Sequence, residues 1–242
     1  MNNILIAFLL ALIPGITWLL YFLKKDVLPE PRRKILKVFL LGAIISVPVL
    51  FFEYWLLGDL NKIEMEHKIF LIIKFVFVIG LVEETFKYFV VRLSALRTSL
   101  IDEPIDIPLY MIISALGFAT IENIFLFCSK CDILLADPII LTFSRFFGAT
   151  LLHVLCSGII GYFIALSFYH LKHRHILLVI GFSISIIIHA TFNFFAESSI
   201  MKETMGEYGS SIFYSFSMVL ILFVFFSFGL KRIKKLKSVC KL

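Results

Sequence analysis

Seven stretches of this chain are apolar for long enough to cross a hydrocarbon core of about 30 Å as helices: roughly 4–23, 35–57, 69–91, 107–127, 139–168, 176–197 and 212–230. No other feature restricts the fold as much. In lipid the backbone has to satisfy its own hydrogen bonds, and a helix does so within one segment. Composition agrees, because 60% apolar residues, 28 Phe and a mean hydropathy of +1.00 far exceed the norm for a soluble domain. The expected fold class is all-α, a polytopic membrane helix bundle of about seven transmembrane helices in the cell membrane. No cleavable signal peptide is expected, since Met1-Asn2-Asn3 supplies no basic side chain and no small-x-small site follows the first apolar run.

Charge placement gives the orientation. When the linkers are counted alternately, 16 Lys and Arg fall on one side and four on the other, with Lys74, Lys87 and Arg145 inside spans. The basic side is expected to be cytoplasmic, which puts the N-terminus outside and the C-terminus inside. The formal charge of +6 is therefore mostly topology. No nucleic-acid partner is implied, because the basic residues flank spans and form no folded basic face.

No linker is long enough to hold a second domain, so residues 1–242 are expected to form one unit. Cys128 and Cys131 form a C-x-x-C at the expected outer end of the fourth helix, where either a disulfide or two free thiols is chemically permitted. Cys156, within a span, reads as a small packing residue.

The stretch "GLVEETFKYFVV", residues 80–91, sets Glu83, Glu84 and Lys87 inside an apolar run. An ionisable group at bilayer depth costs about 2.5–3.5 kcal/mol on insertion scales, so each should face the bundle interior and have a partner. Lys87 lies four residues from Glu83 and three from Glu84, within reach of either on one helix face. One lysine cannot neutralise two glutamates, and the surplus suits a general base or acid. The next three helices add polar stripes of their own. "GFATIENIF" carries Glu122 and Asn123; Arg145, Ala149, His153, Ser157 and Gly161 share a face; Ser185, His189 and Asn193 recur every fourth residue. Taken singly, His153 is as readily a packing residue as a functional one, and Ser157 and Gly161 read as helix contacts.

Several intramembrane chemistries are excluded. H-E-x-x-H is absent, every Asp (26, 59, 102, 106, 132 and 137) falls in a linker, and "LCSG" lacks the first Gly of the serine-rhomboid motif. A Glu/His/Asn constellation remains.

Those residues carry a resemblance. "DVLPEPRR", the E-E-x-x-K of Glu83 to Lys87, the G-F-A-x-x-E-N of Gly117 to Asn123, "RFFGATLLHVLCSGIIGY" and the closing "HATFN" stand in the order found in the PrsW-like intramembrane proteases, distant relatives of the CAAX prenyl endopeptidases. The motifs run from about 26 to 197; the last helix and basic tail, 212–242, carry none. The resemblance implies an endopeptidase cutting a membrane-anchored protein substrate, in the best-known family role a single-span anti-sigma factor. It implies catalytic roles for Glu83, Glu84, Lys87, Glu122, His189 and Asn193. Two chemistries fit these residues. In one, glutamate activates water while His189 and Asn193 donate to the oxyanion. In the other, Glu122, His153 and His189 hold Zn²⁺ with one position open to water. A non-catalytic membrane scaffold is the alternative from another class, and a proton-coupled transporter is disfavoured because no paired broken helices in repeated halves are visible.

Overall fold

The computed structural model describes residues 2–25, 28–97, 101–129, 138–201 and 205–233. Helices α1 (Asn2–Leu23) and α2 (Arg32–Leu60) are followed by α3 (His67–Ile72), which widens into a π-helical stretch, Ile73–Leu81, and continues as α4 (Val82–Ser94). Then come α5 (Asp106–Ser129) and α6 (Pro138–Ser144); a second π segment, Arg145–Ala149, joins α6 to α7 (Thr150–Tyr169). A 3₁₀ turn, Leu171–His173, leads to α8 (Arg174–Met201), and α9 (Met205–Ile233) completes the bundle. No strand occurs among the described residues.

Six helices among the described residues are long and apolar enough to cross a membrane. The seventh expected span, 69–91, lies in the helical run from His67 to Ser94 but is not one of the six; Lys74, Glu83, Glu84 and Lys87 interrupt its apolar character. Helix α1 runs through Pro14, the expected kink point, as one element. Cys131 lies outside the described residues, and with it the proposed Cys128–Cys131 pairing. Cys156 is fully buried within the apolar core, as a packing residue would be.

Helix α5 is the axis. Two thirds of its most apolar window is buried, against 17% for α9, whose Phe213, Leu220, Phe225 and Phe228 face outward. Apolar burial drives little association in lipid, so close backbone approach and polar ties have to hold such helices together. Both are present. A Cβ on Gly117 would overlap the Phe39 carbonyl of α2, and one on Gly42 would overlap the Ser114 carbonyl of α5, so only glycine lets these two backbones touch. Asn123 of α5 donates to Thr150 Oγ1 of α7 at 3.2 Å and to the Ala11 carbonyl of α1 at 3.4 Å. The Trp18 indole donates to the Phe146 carbonyl at 2.9 Å, inside the second π segment, where Gly148 leaves helical geometry (φ −100°, ψ −105°).

Both π segments run directly into the helices that carry the polar residues. Because i→i+5 bonding delays the rotation of everything downstream, the face presented by α4 and α7 differs from what a strict 3.6-residue period gives. Glu30, from the motif "DVLPEPRR", serves the opposite end of α5. Glu30 is buried there and accepts from the Tyr110 hydroxyl at 2.5 Å, 12 residues and therefore about 18 Å along the helix from Glu122.

Candidate active site

Helical spacing brings Glu83, Glu84 and Lys87 onto one face of α4, and packing against α5, α7 and α8 buries all three. The Lys87 ammonium donates to Glu83 Oε2 and Glu84 Oε1, both at 2.9 Å, and lies 2.7 Å from His153 Nδ1. It also lies 4.5 Å from the centroid of the Phe118 ring. An ammonium can only donate, so His153 Nδ1 accepts and the ring proton resides on Nε2. That nitrogen points at Glu122 Oε2, 2.9 Å away.

Glu84 is enclosed on every side. Its Oε1 takes Lys87 and the His189 Nδ1–H at 3.1 Å, and its Oε2 takes the Ser157 hydroxyl at 2.8 Å. With its proton on Nδ1, His189 presents a bare Nε2 lone pair 3.7 Å from Glu83 Oε2. The two imidazoles, 5.1 Å apart and nearly perpendicular, thus have fixed tautomers and orientations. Glu122 is held in turn by Arg145 Nη2 at 3.0 Å, while Arg145 Nε donates to Asn123 Oδ1.

These groups border a cavity of about 400 Å³, lined by Glu83, Glu122, Arg145, His153, His189 and Asn193 among others. Of the residues singled out from sequence, Glu84 and Lys87 do not reach the cavity; they lie behind Glu83 and His189 and hold them. Arg145, His153 and Ser157 all serve the site, whereas Gly161 packs against the backbone of Pro108 as a plain helix contact. Ser185 bonds the Cys156 carbonyl at 2.7 Å and ties α8 to α7.

Donor atoms of Glu83, His153 and His189 lie within 4.8 Å of one another, so these three could hold a metal ion. Two imidazoles and a carboxylate match the donor count of a hydrolytic zinc site with one open position. Glu122, expected with His153 and His189 as a ligand on donor count, meets His153 Nε2 at 2.9 Å, where a supporting carboxylate stands when the other ring nitrogen binds metal. The Lys87 ammonium already contacts two of the three donors, so an ion here shares them with a cation of the protein's own.

Sequence reading missed two features of the cavity wall. Glu53 of α2 lines it, and so does Glu197 of α8, paired with Lys74 of the first π segment at 2.5 Å. An acid inside the second apolar span was the available signal for Glu53; nothing local marks Lys74 and Glu197 as partners 123 residues apart.

Residues 30–228 match the PrsW family of intramembrane metalloproteases. The chain belongs to that family. The match extends into α9, past the last of the motifs at about 197. The chain is 31% identical over 191 residues to "Protease PrsW" of Clostridioides difficile, covering 77% of each protein. It is 27% identical over 229 residues to the protein of that name from Geobacillus kaustophilus, covering 94% of this chain and 91% of the relative. Another, from Oceanobacillus iheyensis, is 29% identical over 181 residues, 75% of this chain and 78% of the relative. No solved structure matches the chain. Membership in this family makes it an intramembrane protease, and the six apolar helices agree with a multi-pass membrane protein.

Proposed function

We propose that this PrsW-family member hydrolyses a peptide bond in a single-span, membrane-anchored substrate of the anti-sigma-factor kind, with Glu83 as the base that activates water. The observation that carries the reading is the convergence of Glu83, His153 and His189 on one cavity. Glu83 faces that cavity and is oriented by Lys87, whereas Glu84 spends both carboxyl oxygens on Lys87, Ser157 and His189. Glu84 is thus a positioning residue: its negative charge fixes the His189 tautomer and offsets the Lys87 ammonium. Asn193 lines the cavity four residues after His189, on the same face of α8, where its amide can donate to a developing oxyanion. His153, held between Lys87 and Glu122, is placed to pass a proton toward the leaving amine.

A zinc ion held by Glu83, His153 and His189 would supply Lewis-acid polarisation of the scissile carbonyl and acidify water. Purified protein distinguishes the two chemistries. With zinc, about one equivalent accompanies the protein and a strong chelator stops cleavage until zinc returns. With glutamate alone, cleavage persists in metal-free protein. Failure of the wild-type protein to cut any single-span reporter sinks both.

The cavity lies toward one end of the bundle. Glu53, Glu122 and Glu197 sit near the C-terminal ends of α2, α5 and α8, and Lys74 near the start of the run from His67. Those ends lead to the linkers poor in Lys and Arg, so with the basic linkers cytoplasmic the cut falls in the external half of the membrane. A membrane-impermeant thiol reagent should label a cysteine introduced at residue 62 in intact cells and spare one at residue 172; the reverse labelling overturns this orientation.

A further inference from the structure

Glu53 is the acid in the cavity wall that the chemistry above does not use. It is 7% exposed, and its Oε1 is fully enclosed with no hydrogen-bond partner among the described residues. The neighbouring acids are matched otherwise: Glu83 and Glu84 share Lys87, Glu122 takes Arg145, and Glu197 takes Lys74. A buried acceptor left without a donor is costly; the Glu53 side chain lines the reaction cavity, so a rotation that turns its enclosed oxygen into the cavity would let whatever enters supply the donor.

The entering group can be specified. A peptide bond inside a transmembrane helix is shielded by the turns around it, so the substrate must unwind locally to be cut, and unwinding strips backbone N–H groups of their intrahelical carbonyl partners. Away from water each such group costs several kcal/mol if left unpaired. We propose that Glu53 is a substrate-binding residue that accepts a hydrogen bond from a backbone N–H of the unwound segment, so that an orphan acceptor of the enzyme and an orphan donor of the substrate satisfy each other. This rests on the protease reading, and it adds what holds the substrate open beside Glu83.

Two substitutions test it in purified protein reconstituted in vesicles with a single-span reporter that the wild type cuts. Glu53→Leu removes the acceptor and should raise KM at least about 10-fold, with kcat changed less. Glu53→Gln keeps a carbonyl acceptor of the same size and should raise KM less than Glu53→Leu does. Introducing a helix-breaking glycine pair into the reporter should lessen the Glu53→Leu defect, because less of the binding energy then goes into unwinding. Without any substrate, Glu53→Leu should raise the thermal midpoint by about 2 °C or more, since it relieves an unpaired buried oxygen. A lower midpoint would show that Glu53 has a structural partner and would overturn the proposal. An unchanged KM in Glu53→Leu would overturn it too, and equal losses in the Leu and Gln variants would show that the carboxyl group itself, not a carbonyl acceptor, meets the substrate and would likewise overturn it. A wild type that cuts nothing leaves the midpoint as the deciding reading and points to failure of the protease assignment.

Discussion

The charged interior has two regions built on opposite principles. Around Lys87, its three near neighbours Glu83, Glu84 and His153 are each held at 2.7–2.9 Å, and Glu84 spends both its oxygens. On the cavity wall above it, Glu53 Oε1 has no hydrogen-bond partner among the described residues, and the Lys74–Glu197 pair is partly open, its side chains 17% and 37% exposed. The saturated knot fixes imidazole tautomers and a carboxylate to within the tolerance that proton transfer demands. The wall keeps capacity in reserve for a ligand. Precision comes from pairing everything, and recognition from leaving something unpaired.

That contrast breaks most visibly at Lys87. Lys87→Met strands two buried carboxylates, and truncating one partner of a buried ion pair typically costs about 3–5 kcal/mol, so accumulation in the membrane and activity should both collapse. Normal abundance on immunoblot with full cleavage would show that the knot does not depend on its cation. Next in size is His189→Ala. It removes the imidazole whose bare Nε2 stands beside Glu83 at the cavity and should lower kcat by about 10²- to 10³-fold with little loss of protein; a variant that cuts normally would move catalysis away from α8.

Ser157→Ala sharpens the comparison from the knot's side. It takes one hydrogen bond from a buried carboxylate, worth about 1.5–3 kcal/mol, and should lower the thermal midpoint with only a modest fall in kcat. Lys74→Ala should do least, because a partly exposed pair contributes about 0.2–1 kcal/mol. A larger loss from Lys74→Ala than from Ser157→Ala would invert the account of which region carries stability.

The same contrast explains what could be read from the sequence. Helices followed from the length of the apolar runs. Lys87 and its carboxylates were legible because an i, i+4 spacing is a contact in any helix, and His189 and Asn193 because α8 keeps a regular period past them. The stripe from Arg145 to Ser157 keeps one face even across the π segment at 145–149: Arg145, Ala149 and His153 line the same cavity, Arg145 and His153 meet the same Glu122 oxygen, and Ser157 reaches Glu84 behind it. The metal-capable trio was least legible. Choosing Glu83 over Glu122 as the carboxylate beside the two histidines depends on how α4, α5, α7 and α8 rotate about their axes, and periodicity within one helix does not encode that. Glu53 stayed hidden because a lone acid near a helix end reads as an interfacial residue until packing encloses it.

The most direct test is cleavage of a co-expressed single-span substrate by the wild type and by Glu83→Gln, compared at equal abundance in the membrane. Glutamine keeps the size and one acceptor oxygen of Glu83 but cannot take a proton from water, so cleavage should fall at least about 10²-fold while insertion and abundance hold. Wild-type cleavage by Glu83→Gln protein would contradict the central claim that this carboxylate performs the chemistry.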